Sequence, residues 1–111
     1  LVELMRRSRI VLNTNGNFGA GSHERPFSTS LTGAATFSDL SRYYETAFAP
    51  GEIALYRWQD LAGAMGMLKE LAGDPARCFE MGRAAKARTA AEHTWDQRIA
   101  LILEAAQAVA A

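Results

Sequence analysis

The spacing of apolar residues changes along this chain, from short continuous runs in its first half to intervals of three and four in its second. Ile10, Val11 and Leu12 form an apolar run of strand type, followed by a polar, glycine-rich stretch from Asn13 to Gly21. Ser22, His23, Glu24, Arg25 and Pro26 then read as the start of a helix that ends near Gly33, and Ala34 to Ser38 as a second strand. From Arg9 to Asp39 the order is a βαβ unit, which makes its two strands parallel. Leu40, Tyr43, Tyr44 and Phe48 recur at helical spacing before Pro50-Gly51 closes the segment, and Ile53, Leu55 and Trp58 give a third short strand at a sheet edge.

Beyond Asp60 the pattern is helical. Leu61, Met65, Leu68 and Leu71 put one apolar face on a first helix. Asp74 is an N-cap ahead of Pro75, which fits the first helical position because its missing N–H has no partner there anyway. That second helix carries Phe79, Gly82 and Lys86 on one side and Cys78, Met81 and Ala85 on the next. Thr94 with Gln97 forms a capping box for the last helix, where Trp95, Ile99, Ile102, Leu103 and Ala106 are the expected buried stripe and Ala105 to Ala111 an alanine-rich end. Leu1 to Ser8 reads as the tail of a helix running into the first strand with no initiator methionine, so the chain is expected to be a piece of a longer one.

Gly73 to Pro75 is a turn and not a linker, which leaves one domain spanning 1–111. The predicted fold is α/β: a partial Rossmann-like parallel sheet of few strands with flanking helices and a helical C-terminal segment. A flavodoxin-like or receiver-like domain needs about five parallel strands alternating with helices. Three consecutive helices at the end do not fit that order.

Charge adds little direction. With 12 Lys and Arg against 12 Asp and Glu, no net field draws the chain to nucleic acid or to an anionic membrane. No apolar run approaches the ~18 residues of a membrane span. The single Cys78 cannot form an internal disulfide, and in its alanine-rich helical setting it reads as a buried structural thiol suited to a cytoplasmic protein.

Candidate chemistry gathers where the first strand meets its helix. In open α/β sheets ligands lie beyond the carboxyl ends of the strands, near helix starts whose N–H groups favour anions. Asn13 and Asn15 end the strand, and Ser22, His23, Glu24 and Arg25 enter the helix. Ser22 and Arg25 suit a diphosphate as side-chain donors, and Glu24 suits ribose or sugar hydroxyls as an acceptor. The same residues also read as plain structure: Ser22 as N-cap, Glu24 against the helix dipole, Arg25 solvated and His23 exposed. Gly16, Gly19 and Gly21 reproduce neither the dinucleotide fingerprint nor the phosphate-binding loop of nucleotide triphosphatases. His23 and His93 are far apart, with no ligand at metal spacing, so no metal or other cofactor is expected. His93, at a helix junction, reads as a packing or C-capping residue, and Tyr43, Tyr44, Phe48, Tyr56 and Trp58 as core.

The ordered motifs resemble the C-terminal part of a group-1 glycosyltransferase, nearest to the spore-maturation-protein-like branch. They are Arg25-Pro26-Phe27-Ser28 with Gly33, Asp39, Phe48 with Gly51 and Glu52, Asp74-Pro75, and His93-Thr94-Trp95 with Arg98, covering nearly the whole chain. The resemblance implies the second Rossmann-like domain of a GT-B fold, binding a nucleoside diphosphate sugar while a separate N-terminal domain, missing here, holds the acceptor. It implies metal-independent glycosyl transfer, with no catalytic residue assigned in this chain and no turnover by the isolated piece. One departure stands out. Five residues before the glycine the family carries a glutamate that holds the ribose, and this chain has Ser28. The alternative is a degenerate glycosyltransferase-like domain acting as a binding or assembly module.

Overall fold

The computed structural model describes residues 1–16 and 18–110. Its elements in chain order are α1 (Val2–Arg6), β1 (Ile10–Asn13), α2 (Arg25–Thr32), β2 (Ala35–Asp39), α3 (Arg42–Ala47), β3 (Ala54–Tyr56), α4 (Leu61–Ala72), α5 (Pro75–Glu92) and α6 (Trp95–Ala110). The three strands form one parallel sheet in the order β1-β2-β3, with Val11 opposite Thr36 and Ser38 opposite Leu55. The α/β class and the flanking helices are those expected from the sequence.

Local signals set the helix ends. The Asp60 carboxylate accepts from the Gly63 N–H at 2.8 Å, and Asp74 accepts from the Arg77 N–H at 3.0 Å. Thr94 and Gln97 close their box, the Thr94 N–H donating to Gln97 Oε1 at 2.7 Å. Gly33 ends α2 in the left-handed region at φ 84°, a conformation in which a side chain would be strained. The start of α2 is later than Ser22. A helix from Ser22 would bury Pro26 in a turn that needs its N–H, whereas a start at Arg25 leaves the proline in the first turn.

β2 is the centre of the sheet and all five of its residues are buried. Alternation along the strands divides the apolar core between the two sheet faces. Ala35, Phe37 and Ala54 pack on one face with Ala64 and Leu71 of α4 and Cys78 and Met81 of α5. The other cluster holds Tyr44, Ala47, Phe48 and Ala85, with Phe27, Tyr43, Ile53 and Leu55 against it. Cys78 lies in the first cluster, its Sγ 3.1 Å from the Leu71 carbonyl oxygen, and burial pushes its thiol pKa up. The thiol should therefore react with a disulfide reagent only as fast as the chain unfolds. Labelling at the unhindered rate under native conditions would contradict this.

Two apolar faces are covered less than their periodicity predicts. On α4 the buried residues are Ala64 and Leu71, while Leu61 and Met65 are exposed, because the helix packs on one side only against β3 and α5. On α6 none of the described residues is buried. Trp95 is 73% exposed, and Ile99, Ile102 and Leu103 are exposed with it. The stripe expected to be core is thus a surface: α6 leaves the body after its capped start, and no described residue buries its apolar face. Trp95→Ala should accordingly cost less than about 1 kcal/mol in urea unfolding, rather than the ~3–5 kcal/mol of a buried aromatic.

Candidate functional site

The carboxyl ends of β1 and β2 converge on a buried polar network that holds the loop between β1 and α2. Asn13 is 4% exposed, and its Nδ2 donates to Ser38 Oγ at 3.0 Å and to Asn15 Oδ1 at 3.3 Å. The Asn15 N–H donates to Asp39 Oδ1 at 2.8 Å, and its side-chain amide donates to the Gly21 carbonyl at 3.1 Å. Tyr44, fully buried, donates through its hydroxyl to Asn15 Oδ1 at 3.0 Å and accepts from the His23 N–H at 2.8 Å. The Trp58 indole N–H donates to the second Asp39 oxygen at 2.8 Å. The hydrogen bonds that Asn13 and Asn15 make thus run within the protein and fix the loop that carries Ser22, His23 and Glu24, while the buried Asn13 Oδ1 has no partner among the described residues.

The N–H groups at the start of α2 are engaged as well. The Arg25 N–H donates to His23 Nδ1 at 3.1 Å, Pro26 has none, and those of Phe27 and Ser28 both donate to the Glu24 carbonyl at 3.1 Å. His23 is therefore the ring that caps this helix. With these N–H groups engaged, an anion at this end is met mainly by side chains. Ser28 lies one turn beyond Glu24, and its hydroxyl donates to the Glu24 carboxylate. It does not face the core.

Ser22, His23 and Glu24 line a pocket of about 300 Å³ whose other walls are Phe27, Tyr43, His93, Trp95, Arg98 and Ile102. Asn13, Asn15, Arg25 and Ser28 lie outside its lining. The pocket brings together the entry of α2, the start of α3 and the first turns of α6, segments far apart in sequence. Arg98 is its cation. The guanidinium lies 5.5 Å from the Tyr43 ring centroid and 5.8 Å from that of Phe27, over the ring faces that attract a cation. Its Nη2 donates to the Tyr43 hydroxyl and, at 3.3 Å, to His93 Nδ1.

That contact also fixes the form of His93. An arginine N–H can only donate, so Nδ1 accepts, and Nε2, 2.8 Å from the Ala47 carbonyl oxygen, carries the proton. The ring packs 5.3 Å from Phe27 and 5.9 Å from Phe48, centroid to centroid. His93 is the C-cap of α5, as its place in the sequence indicated, and it also orients Arg98.

Sequence reasoning missed the far wall of the pocket. Tyr43 does pack against the core, as its place in the sequence suggests, but its ring also walls the pocket; Trp95 is exposed there instead of lying in a buried stripe, and Arg98 carries no signal beyond its place in a motif. The available signal was the cluster His93-Thr94-Trp95 with Arg98, a junction richer in functional side chains than a helix cap requires. Glu52, another motif residue, has a structural position instead. Its carboxylate accepts from the Ala49 N–H at 2.7 Å and from Arg88 Nε at 3.1 Å, tying the turn before β3 to α5. Among the described residues no group of three or more His, Cys, Asp or Glu gathers in a metal-binding arrangement, and no helix is long and apolar enough to cross a membrane.

Aromatic walls, one oriented guanidinium and one exposed carboxylate form a pocket able to hold a flat or sugar-like ring bearing an anionic group. Residues 1–104 match the family described as glycosyl transferase-like. No curated protein and no solved structure matches the chain.

Proposed function

We propose that this chain, which belongs to the glycosyl transferase-like family, is the donor-binding domain of a cytoplasmic group-1 glycosyltransferase of GT-B type, from the spore-maturation-protein-like branch. Its pocket takes the nucleoside diphosphate sugar. The observation that carries this reading is the placement of Arg98 and Glu24 in one aromatic-walled pocket beside the carboxyl ends of parallel strands.

Each group has a role in that reading. Trp95 and Tyr43 offer flat faces to the base. Among the described residues the Nε and Nη1 groups of Arg98 have no hydrogen-bond partner, so they remain for the diphosphate oxygens, while Nη2 holds the side chain in place. Arg25, at the head of α2, is a second cation near the same end. When the bond from the sugar to the diphosphate breaks and the acceptor oxygen takes the sugar, negative charge grows on the leaving diphosphate. A fixed guanidinium stabilises that charge more in the transition state than in the ground state. Glu24 accepts the ribose hydroxyls.

Glu24 bears on the departure at Ser28. The carboxylate that the family pattern sets at that position is replaced here by a serine hydroxyl bonded to Glu24, so the same turn still presents a carboxylate. This favours a donor-binding domain over a degenerate module. The acceptor belongs to a separate domain in this reading. The exposed face of α6, with Ile99 and Leu103 beside the pocket wall formed by Trp95 and Ile102, is the surface onto which that domain closes.

Titration with uridine or guanosine diphosphate, followed by amide NMR, should move the signals of Ser22 to Phe27, Tyr43 and Arg98. Arg98→Gln should weaken binding about tenfold or more while the far-ultraviolet spectrum stays unchanged. Glu24→Gln should weaken the ribonucleotide more than its 2′-deoxy analogue. Shifts confined to α4 and α5, or an Arg98→Gln variant that binds like the parent, would overturn the assignment.

A further inference from the structure

At the amino ends of β1 and β2, opposite the donor pocket, a cleft of about 490 Å³ lies between α1, the end of α2 and α5. Four cations line it: Arg6 from α1, Arg9 ahead of β1, and Arg83 and Lys86 one turn apart on α5. No aspartate or glutamate is among its lining residues. The chain as a whole is neutral, so this is a local concentration of charge and not a reflection of composition.

The structure also accounts for part of that charge. Arg6 pairs with Glu3 at 3.3 Å and Arg83 with Glu80 at 3.0 Å, both on exposed surface. The carbonyl end of α2, at Thr32 and Gly33, adds about half a negative charge. Four cations against these leave an excess of roughly 1.5 positive charges. Arg9 donates to the Ala72 carbonyl at 3.2 Å, which anchors its guanidinium, and among the described residues Lys86 has no ion pair. Exposed Phe79 forms an apolar wall beside them. The cleft falls within the ~300–1,000 Å³ of ligand pockets.

We propose that this cleft is a second anion site, which takes a multiply charged phosphate group. None of its lining residues belongs to the donor pocket. The phosphate can come from a free phosphorylated small molecule or from a lipid headgroup, and the chemistry of recognition is shared: guanidinium forks and an ammonium meeting phosphate oxygens.

The test uses inorganic pyrophosphate and, separately, vesicles of phosphatidic acid in phosphatidylcholine, whose phosphomonoester can carry two charges. Pyrophosphate should shift the amide signals of Ser8, Arg9, Gly33 and Phe79 beyond the change given by sodium chloride of equal ionic strength. The double variant Arg83→Gln, Lys86→Gln alters only exposed side chains and should weaken that binding at least about tenfold. It should leave nucleoside diphosphate shifts at Ser22 to Phe27 as they are, so failure here is distinguishable from failure of the donor reading. Co-sedimentation with the anionic vesicles, lost in the double variant and without a pyrophosphate response, assigns the phosphate to a headgroup. If neither probe binds, if sodium chloride reproduces the shifts, or if the double variant binds like the parent, the proposal is overturned.

Discussion

Gly82→Ala should destabilise the chain by about 3 kcal/mol, a large share of an ordinary domain's stability, although alanine is the better helix former. Gly82 sits inside α5 where that helix crosses the end of α2. A methyl group built on it would lie 1.9 Å from the Gly33 carbonyl oxygen and 2.7 Å from the Gly33 carbonyl carbon. Those are backbone atoms, and Gly33 is itself held at φ 84° to end α2, so the obstacle cannot rotate away as a side chain would. Alanine gains ~1 kcal/mol of intrinsic helix preference, and the clash outweighs it. Gly66 is the control. It lies inside α4 with open space around its missing methyl group, so Gly66→Ala should stabilise by up to ~1 kcal/mol. Urea denaturation of the two variants should move the midpoint in opposite directions. A Gly82→Ala protein as stable as the parent would show that α5 and α2 are not in this close contact.

Asp39→Ala should cost about 2–4 kcal/mol and release the loop ahead of α2. The carboxylate is fully buried at the end of the central strand, where its partners include the Asn15 backbone N–H and the Trp58 indole N–H, each at 2.8 Å. Removing it leaves those donors without this acceptor, at ~1–3 kcal/mol for one sealed from water and less for Trp58, which is partly exposed. The consequence reaches the pocket. Asn15 holds the Gly21 carbonyl and accepts from Tyr44, which in turn holds His23. Loss of Asp39 should therefore broaden the amide signals of Asn15 and of Gly21 to Glu24 and weaken nucleoside diphosphate binding even where the chain remains folded. Asp39→Asn, which keeps one acceptor oxygen and the volume, should lie between the two. A sharp, unshifted loop in Asp39→Ala would separate the network from the pocket.

These two residues differ in how far the sequence announces them. Asp39 stands at a strand end and could be singled out as a motif letter, but its partners Asn15 and Trp58 lie on either side of it in the chain, and their meeting depends on the parallel sheet. Gly82 carries no local signal at all. A glycine within a helix pattern marks a close approach only once it is known which helix crosses there.

The sequence by itself determined the order of elements, most of their approximate limits and the caps of α5 and α6, while α2 starts later than Ser22 and is capped by His23. Asp74 and the Thr94–Gln97 box act on N–H groups three residues away, and Gly33 acts through its own backbone, so neighbours in the chain are enough to specify them. Tertiary structure decided which apolar faces are covered and which polar groups face a ligand. Periodicity tells that one side of α6 is apolar, but whether Trp95 and Ile102 are core or pocket wall depends on what lies against them, and among the described residues Phe27 and Tyr43 face them across a pocket without burying them. Asn13 and Asn15 have the chemistry of ligand-binding residues, yet Ser38, Asp39 and Tyr44 reach them first. Burial and hydrogen bonding at long range are properties of pairs distant in sequence, and only the folded chain brings those pairs together.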